Sequence, residues 1–188
     1  LDILNLKDEP DISEQIQIFN ESTDSNKGFN ISSLFEREGE GWKYYKQLLS
    51  VTKYIYGSPD ISQQGRDFIS KTREESIRLK TRTLNKNISD DPTVILMYLP
   101  THNTNSNINK IAREYKKFLN SIENIKEEFN VMHVTSKDNI PNLNTEIQKQ
   151  IAISKKEHKD LIILCGKMLS LAVTIKLCDI IIMADNST

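Results

Sequence analysis

Two short apolar runs near the end of the chain, Leu161–Cys165 and Cys178–Met183, restrict the fold more than any other stretch. Each is shorter than an ordinary helix and rich in isoleucine, as expected of strands buried on both faces of a parallel sheet. They lie within Asp160–Asp185, DLIILCGKMLSLAVTIKLCDIIIMAD. Between them Gly166 opens a turn, followed by a polar, small-residue segment holding Lys167, Ser170 and Thr174. An apolar strand that ends in glycine delivers backbone N–H groups to the carboxyl edge of the sheet, where open α/β sheets bind ligands. The same spacing equally fits a strand–loop–strand core element with no ligand.

Upstream, composition changes at Asp90-Asp91-Pro92, and this places a boundary between residues 1–90 and 91–188. Thr93–Leu99 is β-branched and apolar and ends at Pro100, which predicts a strand. A polar loop, Thr101–Asn107, follows. Ile108, Ile111, Ala112, Tyr115, Leu119, Ile122 and Ile125 then keep helical spacing, predicting one helix through Ile125. Asn130–Thr135 reads as a strand and Ser136–Pro141 as a loop. Leu143–Lys156 reads as a helix with Leu143, Ile147 and Ile151 inward and lysines toward its C-terminus, where they suit the macrodipole. Strand, helix, strand, helix, strand, strand is the order of a doubly wound α/β sheet with right-handed crossovers. The loops at Thr101–Asn107, Ser136–Asn139 and Gly166–Ser170 are expected at one sheet edge, where hydroxyls, amides and N–H groups suit phosphate oxygens without reading bases.

Residues 1–90 read as an acidic loop and helical connector. The first thirty are polar and acidic, a solvated segment. Trp42, Tyr45, Leu48, Leu49 and Tyr56 predict a helix from Gly41 to Tyr56 with those residues inward, stopped by Gly57-Ser58-Pro59. Its aromatics, interleaved with Lys43, Lys46 and Lys53, suit either base stacking or, the preferred reading, buttressing of a neighbour. A second helix is expected from Ile61 to Leu84. The stretch from Lys71 to Lys86 is the most basic of the chain and reads first as a solvated face, second as a phosphate contact.

Net charge is −1, so any polyanion surface must be local. No apolar run is long enough to span a bilayer and neither end reads as a signal peptide, so no membrane partner and no secretion are expected. Cys165 and Cys178, without CxxC spacing, read as reduced structural thiols in buried strands of a cytosol-like compartment. There is no G-x-x-x-x-G-K-[ST] phosphate loop, no G-x-G-x-x-G and no G-x-S-x-G. His102, His133 and His158 are far apart without ligand-spaced cysteines, so no metal site is expected. No catalytic residue is assigned. The chain begins at Leu1 and stops just past a predicted strand, and reads as a piece of a longer protein.

The closing segment resembles the end of the second RecA-like lobe of superfamily 2 helicases and translocases. Swi2/Snf2-type members run a strand into Ser-Thr-Arg-Ala-Gly-Gly-Leu-Gly-Ile-Asn-Leu, then Ala-Asp, then a strand closing on Asp. Here Cys165–Ile175 occupies that stretch, Cys178-Asp179 the next pair and Ile180–Asp185 the closing strand. It is also similar to divergent helicases of large DNA viruses, with Gly-Lys-x-x-[ST]-Leu-Gly at this place. Ala172 stands where the family has glycine and Thr174 where it has Asn or Asp. The resemblance spans residues 93–185, about half the chain.

It implies an α/β RecA-like lobe preceded by a helical connector, acting as the second motor lobe of an ATP-dependent helicase or translocase, cytoplasmic or viral. It implies that Thr101, His102, Ser136, Gly166 and Lys167 hold a DNA or RNA backbone. It places Ala172 and Thr174 near ATP with Mg2+, bound only when the first lobe of the same chain completes the cleft. On this reading the chain alone hydrolyses no ATP. The alternative is a non-enzymatic α/β interaction or scaffold domain. At Ala172 a negative φ is expected, with Leu169–Val173 in a short helical turn.

Overall fold

The computed structural model describes residues 31–56, 74, 91–101, 106–135, 138, 141–166 and 178–184. The central element is β3 (Val94–Tyr98), whose five residues are all buried. Its neighbours are β5 (Asp160–Cys165) on one side and β6 (Ile180–Met183) on the other, and β4 (Phe129–Val134) lies beyond β5. All pairings are parallel, with Tyr98 level with Cys165 and Met183, and Val134 level with Cys165. The β-branched, alternation-free run Val94–Met97 suits this position, because both faces of a central parallel strand are covered.

The two faces carry separate cores. Helix α2 (Ile108–Ser121) and the short α3 (Glu123–Glu128) cover one, burying Ile111, Tyr115 and Leu119 against Ile95, Met97 and Leu164. Helix α4 (Leu143–Glu157) covers the other, with Leu143, Ile147 and Ile151 against Leu96, Val134 and Ile163. Helices on both faces of a parallel sheet make this the expected RecA-like, doubly wound α/β arrangement. At the amino edge, carboxylates from both neighbours close the start of β3. Asp160 Oδ1 accepts from Thr93 N–H at 2.7 Å and Asp179 Oδ2 from Val94 N–H at 2.8 Å. α4 ends in a Schellman pair, Lys159 N–H to Ser154 O and His158 N–H to Lys155 O, with His158 left-handed at φ 55°.

Residues 31–56 are a further layer on the α2 face. A 3-10 turn (Ile31–Phe35) leads into a hairpin of β1 (Arg37–Glu38) and β2 (Gly41–Trp42), turned at Gly39 with φ +57°. Glycine adopts that φ without the Cβ penalty other residues meet. Helix α1 (Tyr45–Ile55) follows. Phe35 and Trp42 meet Tyr115 edge-on at 5.0 and 6.3 Å, and the Arg37 guanidinium lies 4.6 Å above the Trp42 ring. Arg37 also donates to the Glu40 carbonyl and faces Glu114 of α2 at 3.9 Å. These residues share one core with the sheet, so they are packed into the α/β unit.

Several expectations need correction. The helix predicted from Gly41 starts at Tyr45, because Gly41 and Trp42 pair in the hairpin. Tyr45, expected inward, is 52% exposed, whereas Trp42, Tyr44, Tyr54 and Tyr56 are buried, so the buttressing reading of these aromatics holds. The single helix expected through Ile125 is two, parted at Ile122 with φ −91° and ψ 111°. Ser121 Oγ donates to Phe118 O at 2.6 Å, a side-chain bond of the kind that competes with helix continuation. Finally, β6 is not buried on both faces. Ile181 and Met183, level with Leu96 and Tyr98 and so on the α4 side, are 60% and 57% exposed, since α4 packs on β4 and β5. Cys178, expected in a buried strand, precedes β6 and is half-buried. The helix expected at Ile61–Leu84 and its basic face lie outside the described residues, apart from helical Glu74.

Candidate nucleic-acid interface

The strand ends fix where a ligand has backbone to meet. β3 continues past Tyr98 through a Leu99 N–H bond to Cys165 O at 2.8 Å, then through Pro100 to Thr101. β5 stops at Cys165 and passes to Gly166. The two strands are hydrogen-bonded neighbours, so Thr101 and Gly166 leave the sheet side by side. A Cβ built on Gly166 would lie 3.1 Å from Ile108 Cγ1 and 3.8 Å from Thr101 Cγ2. The first turn of α2 thus closes on the glycine backbone, so a larger residue makes Ile108 give by a few tenths of an ångström, while Thr101 stays in ordinary contact. Asn107 caps α2, its Oδ1 accepting from Lys110 N–H at 3.0 Å, and this helix N-terminus faces the same edge with its partial positive charge.

The loop after β4 behaves differently. Asp138 Oδ2 accepts from Thr135 N–H at 2.7 Å and from Thr135 Oγ1 at 2.8 Å, and Asp138 N–H returns a bond to Thr135 O at 3.0 Å. Asp138 Oδ1 faces His133 Nε2 at 3.8 Å, too far for a hydrogen bond. Among the described residues, His133 Nδ1 is buried with no hydrogen-bond partner, as is Asn109 Oδ1 in the first turn of α2. His133 alternates with Met132 and Val134, which pack on the α4 side, so it lies on the α2 side.

On the α4 side of the same edge, burial raises the Tyr98 phenol, reinforced by the Cys165 and Cys178 thiols. The Cys165 thiol is pushed up to about 12 by burial and donates to Met97 O, so it is an inert core group.

Of the sequence-assigned residues, Thr101 and Gly166 are brought together. His102, Ser136, Lys167, Ala172 and Thr174 lie outside the described residues, as does the expected turn at Leu169–Val173. Ile108 and Asp138 were not foreseen as site residues. Ile108 reads as an ordinary core position, and the Thr135–Asp138 spacing of three, a local side-chain-to-backbone turn signal, is visible in the sequence but common. Among the described residues no group of three or more His, Cys, Asp or Glu side chains is placed to hold a metal. Among them, too, no helix is long and apolar enough to cross a membrane.

No known family matches the chain, and no curated protein matches it. Fold and edge together define the class, an α/β protein with a doubly wound parallel sheet and a polar carboxyl edge.

Proposed function

We propose that this chain is the second motor lobe of an ATP-dependent helicase or translocase, holding a nucleic-acid backbone along the carboxyl edge of its sheet. The observation that carries the reading is the adjacency of Thr101 and Gly166, the two strand exits that the helicase resemblance assigns to the backbone. Two adjacent strand exits and a helix N-terminus at one edge suit phosphate oxygens of any sequence. Lys167 and His102 would add positive charge and a donor to that grip, and Ser136 a hydroxyl. Ala172 and Thr174 would face ATP and its Mg2+ across a cleft that the first lobe completes. Bound there, ATP supplies the free energy of phosphoryl transfer to water, and this lobe contributes positioning.

A second reading, a non-enzymatic α/β interaction or scaffold domain, is favoured by Ile181 and Met183, two exposed apolar residues side by side on one strand. The two readings separate in one experiment on the protein with its first lobe joined. ATP hydrolysis stimulated by nucleic acid, and reduced by Lys167→Glu with His102→Glu, is the motor result. Stimulation that survives the double change places the contact edge elsewhere. The 188-residue chain alone should show no ATP turnover. Turnover abolished by a substitution within 91–188 would make it a self-contained enzyme instead.

A further inference from the structure

Asp138 stands just past the end of β4, the strand beyond β5 from the Thr101–Gly166 pair. Its side chain is half-buried, 30% exposed, at the carboxyl edge, and it draws both donors of Thr135 onto itself. Among the described donors at the end of β4, the Thr135 N–H and hydroxyl are already engaged by an anion of the protein's own. That carboxylate also adds repulsion. Neighbouring strands are ~4.8 Å apart, so a phosphate over the end of β5 lies within about one Debye length of Asp138 at moderate salt.

We propose that Asp138 is a negative determinant that bounds the anion-holding edge: a single strand runs across the ends of β5 and β3 and is turned away from β4. The inference rests on the nucleic-acid reading above and narrows it to two of the three loops, withdrawing Ser136 from the backbone contact. It makes Thr135 a residue whose donors serve the loop, and Asp138 a specificity-determining residue that touches no substrate.

The test is Asp138→Asn in the full chain, read by fluorescence anisotropy with a labelled oligothymidylate over a range of salt. Asparagine keeps an oxygen for the Thr135 donors while removing the charge. Glu127→Gln, at an exposed position of α3 near the amino end of β4, is the control for net charge. The expected result is tighter binding by Asp138→Asn at low salt, by roughly two- to five-fold, with the gain shrinking as salt rises and no comparable gain in the control. Equal affinity for Asp138→Asn and the unchanged chain, or an equal gain in the control, overturns the proposal while leaving the nucleic-acid reading standing. If the unchanged chain binds no oligonucleotide at low salt, both fall together. Thermal melts check folding, and Asp138→Ser, which also keeps an acceptor oxygen, repeats the test if the asparagine variant melts early.

Discussion

Gly166 has no side chain, and the carboxyl edge depends on that. No positive φ requires glycine there, so the constraint is the approach of Ile108. Gly166→Ala should therefore destabilise by about 1 kcal/mol through overpacking. Adding Ile108→Ala should relieve part of that loss, giving a favourable coupling of at least ~0.5 kcal/mol in a double-mutant cycle by urea unfolding. Strict additivity would mean the two residues do not press on each other. His158 is the opposite case, a side chain where glycine fits better, at the left-handed position of the α4 Schellman pair. His158→Gly should raise stability by roughly 0.5–1 kcal/mol, read as a higher melting temperature. An unchanged or lower melting temperature would indicate that the imidazole makes a compensating contact.

At the scale of elements, the legible parts were those whose pattern had one physical solution. Val94–Tyr98 and Asp160–Cys165 are apolar at every position or nearly so, too short for helices, and both are buried parallel strands. Ile180–Met183 has the same composition but lies at the opposite edge of the sheet from the strands α4 covers, and composition does not say how far across a face a helix reaches. The break at Ile122 was hidden because Ile122 and Ile125 keep helical spacing and are buried whether or not the axis bends. The hairpin was hidden by its size, two residues a strand. The loop positions put Thr101 and Gly166 at one sheet edge, and only the strand order of the folded sheet makes them neighbours. The Gly166–Ile108 approach and the Thr135–Asp138 hydrogen bonds are three-dimensional and left only weak traces in the sequence.

The 31–56 layer was read as connector, yet Trp42 packs against Tyr115 and Phe118 of α2. Trp42→Ala should accordingly cost about 3–5 kcal/mol, measured by denaturant unfolding. A loss below ~1 kcal/mol, the range of an ordinary surface substitution, would mean the layer is a detachable appendage.

Among the described residues, Tyr98 and three more deeply buried groups hold their protons more tightly folded than unfolded. Burial raises the phenols of Tyr56 and Tyr115 and the thiol of Cys165. The Tyr56 hydroxyl donates to Met97 Sδ at 3.1 Å, and the Tyr115 and Thr52 hydroxyls share a bond of 2.9 Å. In the unfolded chain thiols and phenols ionise near about 8.5 and 10. Above those values the unfolded chain holds fewer protons than the folded one, so stability falls as pH rises. The stabilisation is complete below about pH 8 and declines through pH 9–11, by up to ~1.4 kcal/mol per pH unit per group. Tyr56→Phe with Tyr115→Phe should flatten that decline, while costing roughly 1 kcal/mol per lost hydrogen bond at neutral pH. An unchanged alkaline slope in the double variant would show that other groups set it.

The central claim, a sheet edge that holds a nucleic-acid backbone, is tested most directly by titrating the 188-residue chain with single-stranded oligonucleotides of different sequence at several salt concentrations. The account predicts weak binding that ignores sequence, falls linearly on a log–log plot as salt rises, and is reduced by Lys167→Glu with His102→Glu. Binding that is absent at low salt, indifferent to salt, or untouched by that double change would contradict it.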